Sequence, residues 1–199
     1  MIHLADTEVS GEGERPFDAT RTPFVHLYAL EVNRDFDNWL VLGRTAETDT
    51  LIQLADLGLE NDKPYFVFEF WTKAFLGEYV NQFSPGQIPA KYNCQLFCFR
   101  EKKNRPQILA TNRHLSCGGY DLVDVVWDGA FLAGTSRVTA NDPYTIYIYE
   151  PEGYTYTSTD CEGASVIGNK VRNNMRMITI QAPENSEVIW RVNYSKEGE

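Results

Sequence analysis

Apolar stretches of five to ten residues, rich in Val, Ile, Phe, Tyr and Thr, recur along the chain and are separated by Gly, Pro, Asn or Asp. Short strands that cross one face of a core and turn back leave that punctuation, which is typical of sandwiches and barrels. A first series reads PFVHLYALEV from Pro23, NWLVLGRT from Asn38, TLIQLADL from Thr50, PYFVFEFW from Pro64 and AKYNCQLFCFRE from Ala90. A second reads PQILATNR from Pro106, DLVDVVWD from Asp121, FLAGTSRV from Phe131, YTIYIYE from Tyr144, MRMITIQA from Met175 and EVIWRVNY from Glu187. In the last run Val188, Trp190, Val192 and Tyr194 share one face, opposite Glu187, Arg191 and Asn193, so that face should turn inward. No stretch holds a 3.6-residue apolar period long enough for a helix, and LADLGLENDKP supplies at most a turn. The pattern predicts an all-β fold.

The charged run REKKNRP, from Arg100, interrupts the strands and places a boundary near residues 102 to 106. The expected organisation is two tandem antiparallel β-sandwich domains, over residues 23–104 and 105–199, behind a flexible acidic lead over residues 1–22. At 199 residues the chain has room for two domains of roughly 100 residues or one larger one. No internal repeat is evident.

Composition narrows the partners. A hydrophobic share of 43% with 13% aromatics is that of a globular chain. The net charge of -10 is spread along the sequence and speaks against nucleic acid or an anionic membrane surface. No apolar run approaches the roughly 20 residues of a membrane helix, and MIHLADTEVSGEGERP has no apolar core of a secretory signal. The compartment stays open.

Candidate chemistry is sparse. Glycoside hydrolysis needs two carboxylates facing one bond, and the nearest pairs are Asp35 with Asp37, Asp121 with Asp124, and Asp160 with Glu162. Turn formation or strand-edge solvation accounts for each pair, so none is assigned a catalytic role. His114, in TNRHLSCGG, has the most distinctive setting of the histidines, and a backbone-satisfied side chain at a strand-to-turn junction explains it. Cys94 and Cys98 fall on one face of a strand, too far apart to bridge each other, while Cys117 and Cys161 sit beside glycine turns. Free, partly buried thiols are expected. Asp142 in ANDPY falls short of a calcium site, and neither a metal nor a cofactor is expected.

Exposed aromatic rings are the remaining signal, because the C–H face of a sugar covers a ring well. Trp39, Trp71, Trp127 and Trp190, with Tyr147, Tyr149, Tyr154 and Tyr156, are the candidates, most of them in strand runs where a core would use them. The segment YEPEGYTYTSTD, flanked by Pro and Gly, reads as the exposed cluster. The carbohydrate-binding set chosen is Tyr154, Tyr156 and Trp71 as stacking platforms, with Asn112 and Arg113 as hydrogen-bond donors.

The segment RPQILATNRHLSCGGYDLVDVVWDGAFLAGTSRV, followed by NDPYTIYIYEPEGY, resembles the region C-terminal to the catalytic barrel in bacterial α-galactosidase-like glycoside hydrolases. Upstream, RDFDNWLVLGRT, LADLGL and KPYFVFEFWTKAFLGEY resemble the β-sandwich that follows the barrel in the same proteins. The resemblance covers roughly residues 24 to 194 and is most specific at TNRH before Gly118–Gly119 and at VFEFW. It implies a two-sandwich tail whose catalytic carboxylates would lie on an absent barrel, so no catalytic residue is carried over. The chain begins at Met1 with its own acidic lead, which leaves a fragment and a stand-alone relic both open. Three functions follow: an accessory region packed against a barrel, a carbohydrate-binding module, or an independent glycosidase.

Overall fold

The computed structural model describes Ile2–His3, residues 26–47 and residues 51–196. Apart from Ile2–His3, the lead over residues 1–22 lies outside the described residues. The N-terminal half holds β1 (Ile2–His3), β2 (Leu27–Arg34), β3 (Asp37–Arg44), β4 (Ile52–Gln53), β5 (Pro64–Glu69), β6 (Ala74–Val80), β7 (Gln82–Phe83) and β8 (Gln95–Glu101). The C-terminal half holds β9 (Gln107–Thr111), β10 (Leu122–Trp127), β11 (Phe131–Val138), β12 (Tyr144–Tyr149), β13 (Tyr154–Glu162), β14 (Ser165–Arg172), β15 (Met175–Gln181) and β16 (Ser186–Lys196). Every pairing is antiparallel. The chain is all-β and built of β-sandwich packing, as its strand pattern predicts.

The C-terminal half is a sandwich of two four-stranded sheets, ordered β10-β11-β16-β13 and β14-β15-β12-β9. Ile146, Ile148, Ile178 and Ile180 from one sheet meet Val188, Trp190 and Val192 from the other. Trp190 is fully buried and fits because its cross-strand partner is Gly134. A Cβ there would lie 2.6 Å from the indole and 2.5 Å from the Asp124 carbonyl.

The N-terminal half contributes a six-stranded sheet, ordered β1-β2-β3-β8-β5-β6. The two-stranded β4–β7 pair and the turn after β4 cover one face, where Leu54, Leu57 and Phe83 meet Val67, Phe97 and Phe99. On the other face Val41, Phe66, Phe68 and Cys98 pack against Leu109, Ala110, Tyr147 and Met175 of the C-terminal half. The β14-β15-β12-β9 sheet is therefore the middle sheet, covered on both sides, and the two halves share a core. The six-stranded sheet is covered on both faces as well, which explains why Tyr65 to Glu69 of β5 are all buried.

Three details depart from the sequence reading. Of the described residues of TLIQLADL only Ile52–Gln53 are extended; Leu54–Leu57 form a 3-10 turn closed by Gly58 in the left-handed region at φ 80°. The strand expected from Ala90 begins at Gln95. Strands β1, β6, β7, β13 and β14 have no counterpart among the expected runs; β14 is exposed along nearly its whole length, so no alternation marks it.

Candidate functional site

The five carbohydrate-binding candidates do not converge. Tyr154 and Tyr156 lie on β13, an edge strand, and are not the exposed cluster expected. Both are half-buried: Tyr154 meets Trp127 edge-on with centroids 5.5 Å apart, and the Arg176 guanidinium sits 3.7 Å from the Tyr156 ring. Asn112 joins two strands, its Oδ1 accepting from Thr145 N–H at 2.8 Å and its Nδ2 donating to the Pro143 carbonyl at 3.0 Å. Arg113 is paired with Asp142 beside the Tyr144 ring. These two residues hold the loop before β12. Trp71 packs into the core between the six-stranded sheet and the middle sheet, whereas Tyr154 and Tyr156 pack against the sandwich core on the middle sheet's opposite face.

Trp71 belongs to the best-defined polar and aromatic cluster, in the turn between β5 and β6. The turn is anchored by Glu69, a buried carboxylate. Its Oε2 accepts from the Thr72 N–H at 2.6 Å and from the Thr72 hydroxyl, while Oε1 accepts from Leu96 N–H at 3.2 Å. Charge-assisted bonds of this kind fix a turn firmly. The fixed turn holds Lys73 in the left-handed region at φ 56°, with its ammonium 3.6 Å from the Phe70 ring centroid. Phe70 meets Trp71 edge-on, and Trp71 stacks on Tyr92 at 5.8 Å and 21°. Trp71 Nε1 is buried without a hydrogen-bond partner.

Across from this turn lies the β14–β15 hairpin. Its central residues Asn173 and Asn174 have φ 50° and 57°, as a two-residue hairpin turn of this handedness demands. The two turns enclose a cleft of about 50 Å³ lined by Lys73, Ala74, Phe75, Arg172, Asn173 and Met175. Burial depresses the Lys73 amine below its ordinary value, with Cys117 and Glu69 pulling weakly the other way.

The carboxylates proposed as pairs are separated by their environments. Asp35 is exposed, whereas Asp37 is bound by Arg100 at 2.8 Å and Lys103 at 2.6 Å. Burial pushes the Asp37 carboxyl up, but these two cations outweigh it and hold it below the usual carboxylate range. Asp121 is fully buried and accepts the Tyr144 hydroxyl at 2.6 Å, while Asp124 is exposed. Asp160 and Glu162 both face solvent, with Asp160 accepting from Asn193. His114 is turned onto its own loop, its Nδ1 accepting from Ser116 N–H at 3.1 Å. Cys98 and Cys117 adjoin in the shared core; Cys98 and burial together push the Cys117 thiol well up, and no cysteine is in a disulfide.

The chain matches no family model, no curated protein and no solved structure.

Chemically, the cluster around Glu69 offers two cations, an unused indole N–H and a stacked aromatic pair. Sequence reading found Trp71 but passed over Lys73, Tyr92 and Arg172. A lysine following an aromatic run in FWTKAF has no spacing signature, and only the folded chain brings Arg172 across from it.

Proposed function

We propose that the chain is a non-catalytic accessory β-sandwich region of a glycoside hydrolase, packing against and stabilising the catalytic barrel. The observation that carries this reading is the employment of the carboxylates: Asp37, Glu69 and Asp121 are each tied into the fold by hydrogen bonds to a cation, a turn or a buried hydroxyl. Groups so held secure packing and have no free reach toward a substrate. The resemblance to α-galactosidase-like tails supports the same assignment. A docking face is offered by β14, the outer strand of the middle sheet, with Val166, Ile167 and Val171 exposed.

The test is thermal unfolding of the purified chain with a (β/α)8 barrel domain from an α-galactosidase-like hydrolase. A partner that binds only the folded state at a hundred times its Kd adds about 2.7 kcal/mol, or a rise of about 5–11 °C for a chain this size. Ile167→Asp should abolish the rise. An unchanged melting temperature at saturating barrel refutes the reading. A second reading, a carbohydrate-binding module, draws on the Trp71–Tyr92 stack and its unused indole N–H. Saturable calorimetric binding of galactosides that disappears in Trp71→Ala would favour it.

A further inference from the structure

We propose that the cleft between the β5–β6 turn and the β14–β15 hairpin is an oxyanion site that receives a sulfate, phosphate or carboxylate group between Lys73 and Arg172. The proposal goes beyond the accessory reading and does not depend on it.

Charge balance is the first argument. The chain carries 28 acidic residues against 18 lysines and arginines, so carboxylates outnumber the cations they could pair with. Lys63, Lys102, Lys103, Arg100, Arg113, Arg137 and Arg176 are all ion-paired. Lys73 and Arg172 line the same cleft, and neither makes an ion pair among the described residues. Two cations without ion pairs that line one cleft repel each other, and an anion between them removes that cost.

Desolvation is the second. Lys73 is partly withdrawn from water over the Phe70 ring, in a cleft whose other walls include Phe75 and Met175. A cation placed so, without a counter-ion, is held at a cost that a bound anion offsets.

Size and rigidity supply the rest. One water needs about 10–15 Å³ of such space, so a cleft of about 50 Å³ takes a group of about three to five heavy atoms. That matches a sulfate, a phosphate or a carboxylate end, and excludes a whole sugar ring. Donors are abundant: three N–H on the Lys73 ammonium, five on the Arg172 guanidinium and the Asn173 amide. The Glu69 anchor and the left-handed residues Lys73, Asn173 and Asn174 fix both walls before a ligand arrives.

The experiment titrates the purified chain with sodium sulfate, against sodium chloride at equal ionic strength, following the backbone amides of Lys73 and Asn173 by NMR. Saturable shifts with a Kd on the order of 1 mM are expected with sulfate and not with chloride. Lys73→Met and Arg172→Met should each raise that Kd at least tenfold while keeping the native melting temperature. Shifts that grow linearly, that chloride reproduces, or that persist in the double variant overturn the proposal. Parallel titrations with galactose 6-sulfate and galacturonate identify the source: tenfold tighter binding than free sulfate marks a glycan-borne group, and equal binding marks a free inorganic ion.

Discussion

Arg100 is a buried tie between the two halves, and its removal measures how far they depend on each other. Its side chain is 1% exposed. The guanidinium lies 3.7 Å from the Trp39 ring and spends its donors on three elements: Nη1 to Asp37 at 2.8 Å, Nε to the Leu109 carbonyl at 3.1 Å and Nη2 to the Cys117 carbonyl at 3.1 Å. Leu109 belongs to β9, the edge of the middle sheet. An edge strand presents carbonyls that no neighbouring strand satisfies, and Arg100 supplies the donor from the other half. Arg100→Met preserves much of the volume but leaves two buried carbonyls without that donor, and Asp37 with Lys103 alone. Each unsatisfied buried group costs about 1–3 kcal/mol, and breaking a buried ion pair about 3–5 kcal/mol. These costs overlap, so the expected loss is about 3–5 kcal/mol. For a chain of this length that is a fall in melting temperature of about 6–20 °C.

Arg100→Lys separates charge from geometry. An ammonium still attracts Asp37 but lacks the planar fork that reaches the other two acceptors and stacks on indole, so a loss of about 2 kcal/mol is expected. The assay is urea unfolding followed by tryptophan fluorescence, with Asp37→Asn and the double variant completing a cycle. The partners share one bond, so the cycle should show about 1–3 kcal/mol of coupling. Arg100→Met costing under about 1 kcal/mol, or Arg100→Lys matching the parent, would refute the role assigned here.

Three further outcomes are expected. Gly134→Ala drives a methyl into Trp190 and the Asp124 carbonyl, so a loss of about 3 kcal/mol or more should appear as a lower urea midpoint; a neutral result would mean the sandwich is loosely packed there. Glu69→Ala removes the acceptor for two donors on Thr72 and one on Leu96; about 2–3 kcal/mol is expected, together with faster hydrogen exchange at the Thr72 amide, and unchanged exchange would dismiss the anchor. Alkali should destabilise the fold, since burial pushes the Tyr147 hydroxyl from 10.0 up to about 12 and the Cys161 thiol from 9.0 up to about 11. The unfolded chain releases these protons first, so stability is full below pH 9 and falls through pH 12, Tyr147 alone accounting for about 2–3 kcal/mol; a flat profile by urea unfolding would contradict it.

What could be read from the sequence was what repeats. Alternation in Val188, Trp190, Val192 and Tyr194 follows from one covered face, and it places β16 correctly. The same logic fails at β14, where both faces are wet, and at β13, where Pro151 and Gly153 mark Tyr154 and Tyr156 as exposed although both are half-buried on a strand. Pattern reading weighs each residue against its near neighbours, so it saw two sandwiches side by side and could not see that their sheets share a core. That fact depends on pairs such as Phe68 with Tyr147, whose rings lie 4.7 Å apart across a sequence separation that carries no local trace. The candidate site divides along the same line. Trp71 was visible because aromatic residues are conspicuous, but its neighbours Lys73 and Arg172 are ordinary surface residue types until the shared core brings the two turns together. Doubly covering the middle sheet has a second effect: wherever the edges of the two halves meet, turns from different sheets are forced into proximity, with their side chains directed over apolar walls. The Lys73–Arg172 cleft lies at such a meeting of edges, where the packing of the halves brings to one cleft two cations that make no ion pair among the described residues.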